Sequence, residues 1–198
     1  MKPPARTSHN AIVVTGTPGT GKTTFSRRLA KQTGARYVSL THFVSTHRLY
    51  TGLDRERKSK IVDLGSTRAR LSSLISETKG PTIVDTHIPG GIIQKRSVKI
   101  IFVLRCHPRI LETRLKRKHW NPSKVSENVL AEILDACLTS AVEYYGWDRV
   151  VQLDTSRVNV SKCVAVAKRI LRQPAMKSGK IDWIRTLDKN HMLDKYLQ

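Results

Sequence analysis

Residues 11–23 read AIVVTGTPGTGKT, and this stretch decides which fold the rest of the chain can form. The first five residues are apolar or β-branched, which predicts a buried strand. The following residues match the pattern G-x-x-x-x-G-K-[ST], and residues 23–32 then predict a helix that ends at Gly34. A strand, a glycine-rich loop and a helix in this order are the context in which the pattern marks a phosphate-binding loop.

The glycines of this loop give it the backbone freedom that a phosphate site needs. Gly16, Gly19 and Gly21 allow successive backbone N–H groups to point toward one centre. The N-terminus of the following helix adds about half a positive charge at the same place. The loop is therefore expected to bind a phosphate chain.

The residues after the last glycine are the candidates for direct contacts with a nucleotide. Lys22 is expected to bridge the β- and γ-phosphates of ATP, and the hydroxyl of Thr23 is placed to be a ligand of Mg²⁺. Thr24 is expected to donate to the α-phosphate region. We therefore predict ATP and Mg²⁺ as cofactors, and the alternative is a chance glycine turn beside a lysine.

Further apolar runs indicate how many strands join the first one. A short strand is predicted at residues 37–40, buried parallel strands at 82–84 and 100–104, and a fifth strand at 150–153. Helical patterns lie between them, at residues 62–78, 108–118, 124–145 and 160–171. The sequence therefore predicts a doubly wound α/β protein, with a five-stranded parallel sheet, right-handed crossovers and helices on both faces.

One predicted strand ends in a carboxylate, as a Walker B strand does. Asp85 follows the apolar run that begins after Pro81, and such an acid would hold Mg²⁺ directly or through water. His87 lies two residues later, at the sheet edge where ligands of open α/β folds bind, and could orient a water or a phosphoryl acceptor. The alternatives are an Asp that caps a turn and an ordinary loop His.

The chain carries a large excess of positive charge. It has 198 residues, with 36 Lys and Arg against 15 Asp and Glu, which gives a formal net charge of +21. Hydrophobic residues make up 39% of the chain, enough for the core of one domain. The charge favours a polyanionic partner.

The cysteine pattern and the absence of long apolar runs argue against several protein classes. Cys106, Cys137 and Cys163 are an odd number without metal-ligand spacing, which argues against a disulfide framework and a zinc site. No run of about 18 apolar residues occurs, and the N-terminus lacks the apolar region of a secretory signal. We therefore expect no membrane partner and a cytoplasmic protein, or a nuclear one if the source is eukaryotic.

Basic residues are concentrated in residues 95–118, which contain nine Lys and Arg and a single acid, Glu112. Like charges at helical spacing repel one another unless an anion lies between them. The segment from Arg114 to residue 126 is therefore predicted to be a short lid that closes on phosphate, with a turn at residues 120–122. The alternative is a solvated basic helix face.

The pattern changes after Pro174. Residues 176–198 carry apolar side chains, among them Trp183 and Leu187, between Lys and Asp residues. This spacing predicts one amphipathic helix or two short ones appended to the domain. The extension either packs on the body of the protein or binds a partner.

The motifs GTPGTGKTT, VDTH and the short Trp-Asn-Pro turn together resemble one branch of the nucleoside monophosphate kinases. The chain is similar over about residues 10–172 to the adenylate kinase isoenzyme six family, the coilin-interacting nuclear ATPase type, whose archaeal relatives act in small ribosomal subunit maturation. The resemblance implies a P-loop kinase core over residues 1–174. It also implies a monophosphate-binding segment at about 39–62, a lid at about 117–127 and an extension at 175–198.

The resemblance also implies roles for particular residues. The residues implied to contact the phosphates of ATP are Gly19, Gly21, Lys22, Thr23 and Thr24. Asp85 would be the acid on the metal side, His87 the catalytic histidine, and Arg157 a basic residue near the adenine. With the lid, Arg114 is expected to act in catalysis and Lys118 to contact ATP. The chain departs from the family at Leu40-Thr41-His42 and at Lys118-His119-Trp120.

The motifs and this resemblance together imply a broad-specificity adenylate kinase with ATPase activity, which would convert ATP and AMP to two ADP and act in small-subunit assembly. The implied partners are AMP, ribosomal RNA and a ribosomal protein of the small-subunit platform. Two alternatives remain at this point: a ribosome-assembly ATPase with little kinase activity, and another P-loop kinase of small metabolites. A GTPase is disfavoured because an N-K-x-D motif does not occur.

Overall fold

A parallel sheet of five strands lies at the centre of the computed structural model, which describes residues 10–54, 59–173 and 179–197. The strands are β1 Ala11–Thr15, β2 Arg36–Ser39, β3 Tyr50–Asp54, β4 Ser59–Val62, β5 Thr82–Asp85, β6 Val98–Arg105 and β7 Val150–Asp154. The central sheet has the order β2-β5-β1-β6-β7, and β3 and β4 form a separate antiparallel pair. The predicted five-stranded parallel sheet is confirmed.

The register of the sheet brings several strand ends to one edge. Asp85 on β5 is level with Ser39 on β2 and with Val14 on β1. Because β1 lies between β5 and β6, the chain crosses from one side of the sheet to the other at this strand. Ligands of open α/β sheets bind outside the carboxyl ends at such a reversal.

Helices cover both faces of the sheet, as expected. They are α1 Lys22–Thr33, α2 Leu40–Thr46, α3 Leu64–Glu77, α4 Pro108–Lys116, α5 Pro122–Ile133, α6 Ala136–Tyr145, α7 Val160–Arg172, α8 Trp183–Lys189 and α9 Asp194–Leu197. One apolar core lies between the sheet and helices α1 and α7. A second core lies on the opposite face, against α2, α3 and α6.

A third apolar cluster lies beyond the sheet and joins the C-terminal extension to the body. It is formed by α4 and α5 with Leu187 of α8, which is completely buried. Trp183 at the start of α8 is only 6% exposed. The extension thus consists of two short helices, one of the two predicted arrangements, and α8 packs on the body.

Two parts of the prediction differ from the structure. The helix predicted at 124–145 is divided into α5 and α6, because Asp135 has a left-handed backbone with φ of 58°. The segment after β2 was expected to bind a monophosphate, without assigned elements, and it contains α2 and the hairpin of β3 and β4. The strands of this hairpin lack the continuous apolar run that marks the central strands.

Parts of the predicted segments lie outside the described residues. These are residues 1–9 of the predicted domain, 55–58 of the monophosphate-binding segment, and 174–178 and 198 near the C-terminus. Among the residues that the structure describes, every helix is too short or too polar to cross a lipid bilayer.

Candidate functional site

The loop between β1 and α1 follows a path that only glycine can take at its first position. Gly16 has φ of +139°, and a Cβ atom there would lie 2.3 Å from the carbonyl oxygen of Leu104. The loop therefore lies directly against β6. A side chain at this position would push the loop off the strand.

The tip of the same loop packs on α4. A Cβ atom at Gly19 would lie 2.8 Å from Leu111 and 2.9 Å from Leu115, and the φ of Gly19 is +94°. Strand β6 and helix α4 thus both constrain the path of the loop backbone. Because α1 begins directly after the loop, at Lys22, its first N–H groups face the space that the loop encloses.

The amine of Lys22 is folded onto the loop itself. Its Nζ donates to the carbonyl oxygen of Gly16 at 2.7 Å and to that of Thr17 at 3.2 Å. Burial lowers the pKa of Lys22, while Cys137 and Asp85 act in the opposite direction. An anionic ligand would favour the charged amine, so this position suits a group that contacts phosphate.

Thr23 and Asp85 come together as the sequence predicted. The Thr23 hydroxyl donates to Oδ2 of Asp85 at 2.8 Å, and the hydroxyl of Tyr37 donates to the same oxygen at 3.2 Å. Asp85 is 7% exposed. One hydroxyl and one carboxylate are the oxygen ligands that Mg²⁺ takes from proteins when phosphates and waters supply the rest. The donor set therefore fits Mg²⁺.

No group of three or more His, Cys, Asp or Glu side chains that could hold a metal appears in the described part of the chain. His87 lies near Asp85 and Lys22, with part of its side chain exposed and part covered by neighbouring residues. Burial of its ring is the first cause that lowers the pKa of His87, and the charge of Lys22 is the second. The neutral imidazole is therefore the favoured form of His87, and this form can accept a proton.

A cleft of about 250 Å³ lies beside the loop. It is lined by Gly19, Gly21 and Thr24 from the loop and α1, by Arg114 from α4, and by Thr155, Val158 and Val160 after β7. The guanidinium of Arg114 donates to the carbonyl oxygens of Thr155 at 2.7 Å and Ser156 at 3.3 Å. A fixed cation with an apolar wall suits the purine and phosphates of a nucleotide.

The other two basic candidates take different positions. Lys118 lies in the turn between α4 and α5, exposed, and close enough to Lys22 for its charge to lower the pKa of Lys22. Arg157 is exposed and lines a neighbouring cavity of about 550 Å³ with His107 and Arg109, rather than the cleft beside the loop. The structure thus brings Arg114 and Lys118 toward the loop, and Arg157 to the adjoining surface.

Arg105 belongs to the basic segment of residues 95–118 but lies outside the predicted lid and inside the protein. It ends β6, is 1% exposed, and its Nε donates to Oε1 of Glu132 at 2.8 Å. Its other nitrogens donate to Gln152 and to Asp135. The charge of Arg105 is therefore neutralised inside the protein, and it cannot act on a phosphate at the surface.

Glu132 is a residue that the sequence analysis missed. Its carboxylate is buried, and Oε2 accepts from the hydroxyl of Thr17 in the loop at 2.6 Å. Helix α5 offered a signal, because Glu132 lies on the same buried face as Val125 and Val129. An acid on the apolar face of a helix has to find a partner inside the protein. Tyr37, the partner of Asp85, left no comparable signal.

The chain is similar to a known protein family and to several named proteins. A protein-family model described as "AAA domain" matches residues 12–135, more than half of the chain. A protein of Methanocaldococcus jannaschii named "Putative adenylate kinase" is 32% identical over 172 residues, which cover 87% of this chain and 92% of the relative. Proteins of the same name from Saccharolobus solfataricus and Halobacterium salinarum are each 34% identical, with 87% of this chain covered. The match covers 87% of the first relative and 96% of the second.

Solved structures share the fold at low sequence identity. An unliganded sugar kinase from Janibacter superposes with a TM-score of 0.56 and 17% identity, covering 86% of this chain and 99% of the sugar kinase. A shikimate kinase from Bacteroides thetaiotaomicron gives 0.55 and 15%, with 82% and 98% covered. Both likenesses show the P-loop kinase fold.

Proposed function

The chain belongs to the AAA-domain family and is related to the archaeal proteins named "Putative adenylate kinase", and from these relationships we propose that it transfers the γ-phosphoryl group of ATP to AMP. The products are two ADP. These relatives share a name that denotes a phosphotransferase acting on a nucleotide. The identity of the acceptor and the roles of single residues are the proposal.

The observation that carries the proposal is the contact of Thr23 with Asp85 at the mouth of the glycine loop. These two side chains come from α1 and β5, 62 positions apart, and their oxygens lie 2.8 Å from each other. Thr23 and Asp85 are the residues that would hold Mg²⁺, and the ion would offset the negative charge of the phosphates. Lys22 is in reach of the same space.

Different residues have different roles in the proposed phosphoryl transfer. The loop N–H groups and Lys22 bind the phosphate chain of ATP, and Arg114 lies along the cleft in which the rest of the nucleotide would bind. An oxygen of the AMP phosphate forms a bond to the γ-phosphorus while the bond to the β-phosphate oxygen breaks, and ADP leaves from each side. Lys118 approaches from the lid turn and adds positive charge as the transferred group passes.

His87 has a separate role in the proposal. Its imidazole, neutral in the folded protein, orients the acceptor or, when AMP is absent, a water molecule. The second case gives ATP hydrolysis. This accounts for an ATPase activity beside the kinase activity.

The variant Lys22→Ala tests the proposal, because it removes the amine without changing the glycine backbone. We expect ADP formation from ATP and AMP to fall about 100-fold or more, since the charge on the transferred phosphate is no longer offset. The matched control is Lys31→Ala, at the far end of the same helix and exposed, which should retain wild-type activity.

Two results would contradict the proposal. Undiminished turnover by Lys22→Ala would show that this lysine does not contribute to phosphoryl transfer. Turnover of ATP at one rate with and without AMP, with no AMP consumed, would leave an ATPase in place of the kinase.

We further propose, as the second candidate, that the protein acts in small ribosomal subunit assembly as a member of the isoenzyme six type. The net charge of +21 favours this function, since ribosomal RNA is a polyanion. ATP binding and hydrolysis would then change how tightly the protein holds ribosomal RNA and a platform protein of the small subunit. A kinase of another small metabolite is less supported, because the curated relatives are named for adenylate.

A further inference from the structure

A single buried carboxylate joins the glycine loop to the C-terminal extension. Oε1 of Glu132 accepts from Nε of Arg105 at 2.8 Å, from the backbone N–H of Cys106 at 3.0 Å, and from Nε1 of Trp183 at 2.9 Å. Oε2 accepts from the Thr17 hydroxyl at 2.6 Å. The four donors belong to β6, to the residue after it, to α8 and to the loop.

The cluster is sealed from water. The exposed fraction is 2% for Glu132, 1% for Thr17 and 6% for Trp183. Inside a protein, the loss of one donor weakens the hold on a charged oxygen, and the remaining bonds have to rearrange. The position of the carboxylate therefore depends on all of its donors together.

Thr17 is the residue on which the loop closes. Its carbonyl oxygen accepts from the backbone N–H of Thr20 at 3.2 Å, from the Thr20 hydroxyl at 2.8 Å, and from Lys22 Nζ at 3.2 Å. When Lys22 turns to a phosphate chain, this carbonyl loses the amine. The bond from the Thr17 side chain to Glu132 then becomes a larger share of what fixes the loop.

Trp183 completes the other side of the cluster. Its ring contacts the imidazole of His107 edge to face, with centroids 5.4 Å apart, and the guanidinium of Arg105 lies 5.9 Å from its centroid. It is the first residue of α8, whose Leu187 anchors the helix in the third apolar cluster. Helix α8 therefore reaches the loop through one intermediate residue.

We propose that Glu132 and Trp183 are positioning residues for the ATP loop, so that helix α8 sets the affinity for ATP through the bond of Glu132 to Thr17. The extension is then a part of the nucleotide site's support. The inference rests on the proposed function only in requiring that the loop binds ATP, and it does not depend on the acceptor.

A double-mutant cycle in the full chain tests the coupling. Trp183→Phe removes the indole N–H but keeps an aromatic ring, and Thr17→Val removes the hydroxyl at nearly constant volume. Each is expected to raise the Kd of Mg·ATP about three- to ten-fold, measured by equilibrium dialysis. The double variant should bind ATP no more weakly than Thr17→Val alone, since both changes act through one carboxylate.

Two further variants separate positioning from a general loss of structure. Thr17→Ser keeps the hydroxyl and should restore wild-type affinity. Ile184→Ala lies on the same helix as Trp183, with its side chain 46% exposed, and should leave the Kd unchanged. A purely structural role of Trp183 would lower the melting temperature and leave the Kd of the folded protein as it is.

The reciprocal measurement is made on the wild-type protein, and Thr17→Val serves as its control. Coupling between two sites acts in both directions, so ATP should slow the hydrogen exchange of the Trp183 indole N–H. This signal is followed by NMR, and Thr17→Val should abolish the effect. Unchanged exchange on saturation with ATP would overturn the inference.

The outcomes distinguish this inference from the proposed function. Wild-type protein that binds no ATP would overturn both. Wild-type binding together with an unaltered Kd in Trp183→Phe and Thr17→Val would overturn the inference alone. Equal weakening by Trp183→Phe in the wild-type and Thr17→Val backgrounds would also overturn it, because the two residues would then act independently.

Discussion

Gly16 shows how closely the phosphate loop is tied to the sheet. Its φ of +139° is a region that residues with side chains rarely adopt, and the nearest atom that a Cβ would meet is the backbone oxygen of Leu104, at 2.3 Å. The backbone of β6 cannot move aside without breaking the sheet. The loop path and the sheet are thus one packing unit.

We therefore expect Gly16→Ala to lower the free energy of unfolding by about 2 kcal/mol or more, as measured by urea denaturation. Gly80→Ala is the matched control, because its Cβ atom would meet nothing within 4 Å and its φ is ordinary. Stability of Gly16→Ala equal to that of Gly80→Ala would contradict the close approach of the loop to β6.

At the residue scale, the sequence indicated the site where the motif itself carries the chemistry. The motif placed Lys22 and Thr23, and the strand-end rule placed Asp85, and the structure brings the three together. Glu132 and Tyr37 act through partners far along the chain, so only the packing of α5 and β2 brings them to the loop. Arg105 belongs to the basic segment of residues 95–118, but its charge is neutralised by Glu132 of a distant helix.

At the scale of elements, the break between α5 and α6 is the clearest departure from the predicted pattern. The apolar spacing continues through residues 124–145, so the pattern contains no sign of a break. Asp135 nevertheless adopts φ of 58°, and its carboxylate contacts the buried guanidinium of Arg105. This ion pair compensates a backbone conformation that costs about 1 kcal/mol or more for most residues.

Two substitutions at this position should differ in their effect. Asp135→Asn keeps an acceptor for Arg105 and a side chain that tolerates the left-handed region, so its loss of stability should be small. Asp135→Ala loses both and should cost about 2 kcal/mol or more in the free energy of unfolding. Equal effects of the two variants in urea denaturation would show that the ion pair does not hold the break.

The hairpin of β3 and β4 is a second element that the pattern did not reveal. Its strands contain Gly52 and Asp54, residue types that are uncommon in strands. Within the described residues, these two strands pair with each other and with no other strand. The central strands were predictable because burial on both faces demands a continuous apolar run. A hairpin outside the main sheet is under no such demand.

At the scale of the whole molecule, positive charge is the dominant property. The formal charge of +21 is far from neutrality, and it predicts attraction to polyanions whatever the details of the site. Charge of this kind does not identify a partner by itself. It does determine how binding should respond to salt.

The affinity for ribosomal RNA is accordingly expected to fall steeply between low and high salt. Each phosphate that Lys or Arg neutralises releases a counterion, so the logarithm of the binding constant should decrease linearly with the logarithm of the salt concentration. Filter binding over a salt series measures the slope. A binding constant that does not change with salt would contradict the electrostatic basis of the assembly function.

The fold was predictable because the glycine-rich motif and the apolar runs around it indicate a parallel α/β sheet. The packing of the extension was not, because the same amphipathic pattern serves a helix that binds the body and one that binds a partner. The burial of Trp183 and Leu187 decides between these for α8. Whether α8 packs on the body could therefore be read from the folded structure but not from the amphipathic pattern.

The central claim is that the loop from Gly16 to Thr23, with Asp85, binds a magnesium-bound nucleoside triphosphate. Calorimetric titration of ATP into the folded wild-type protein in the presence of Mg²⁺ tests it most directly. The structure predicts saturable binding of one ATP in the cleft beside the loop, abolished or strongly weakened in Lys22→Ala. Absence of any binding heat at several temperatures, with the protein shown to be folded, would contradict the claim.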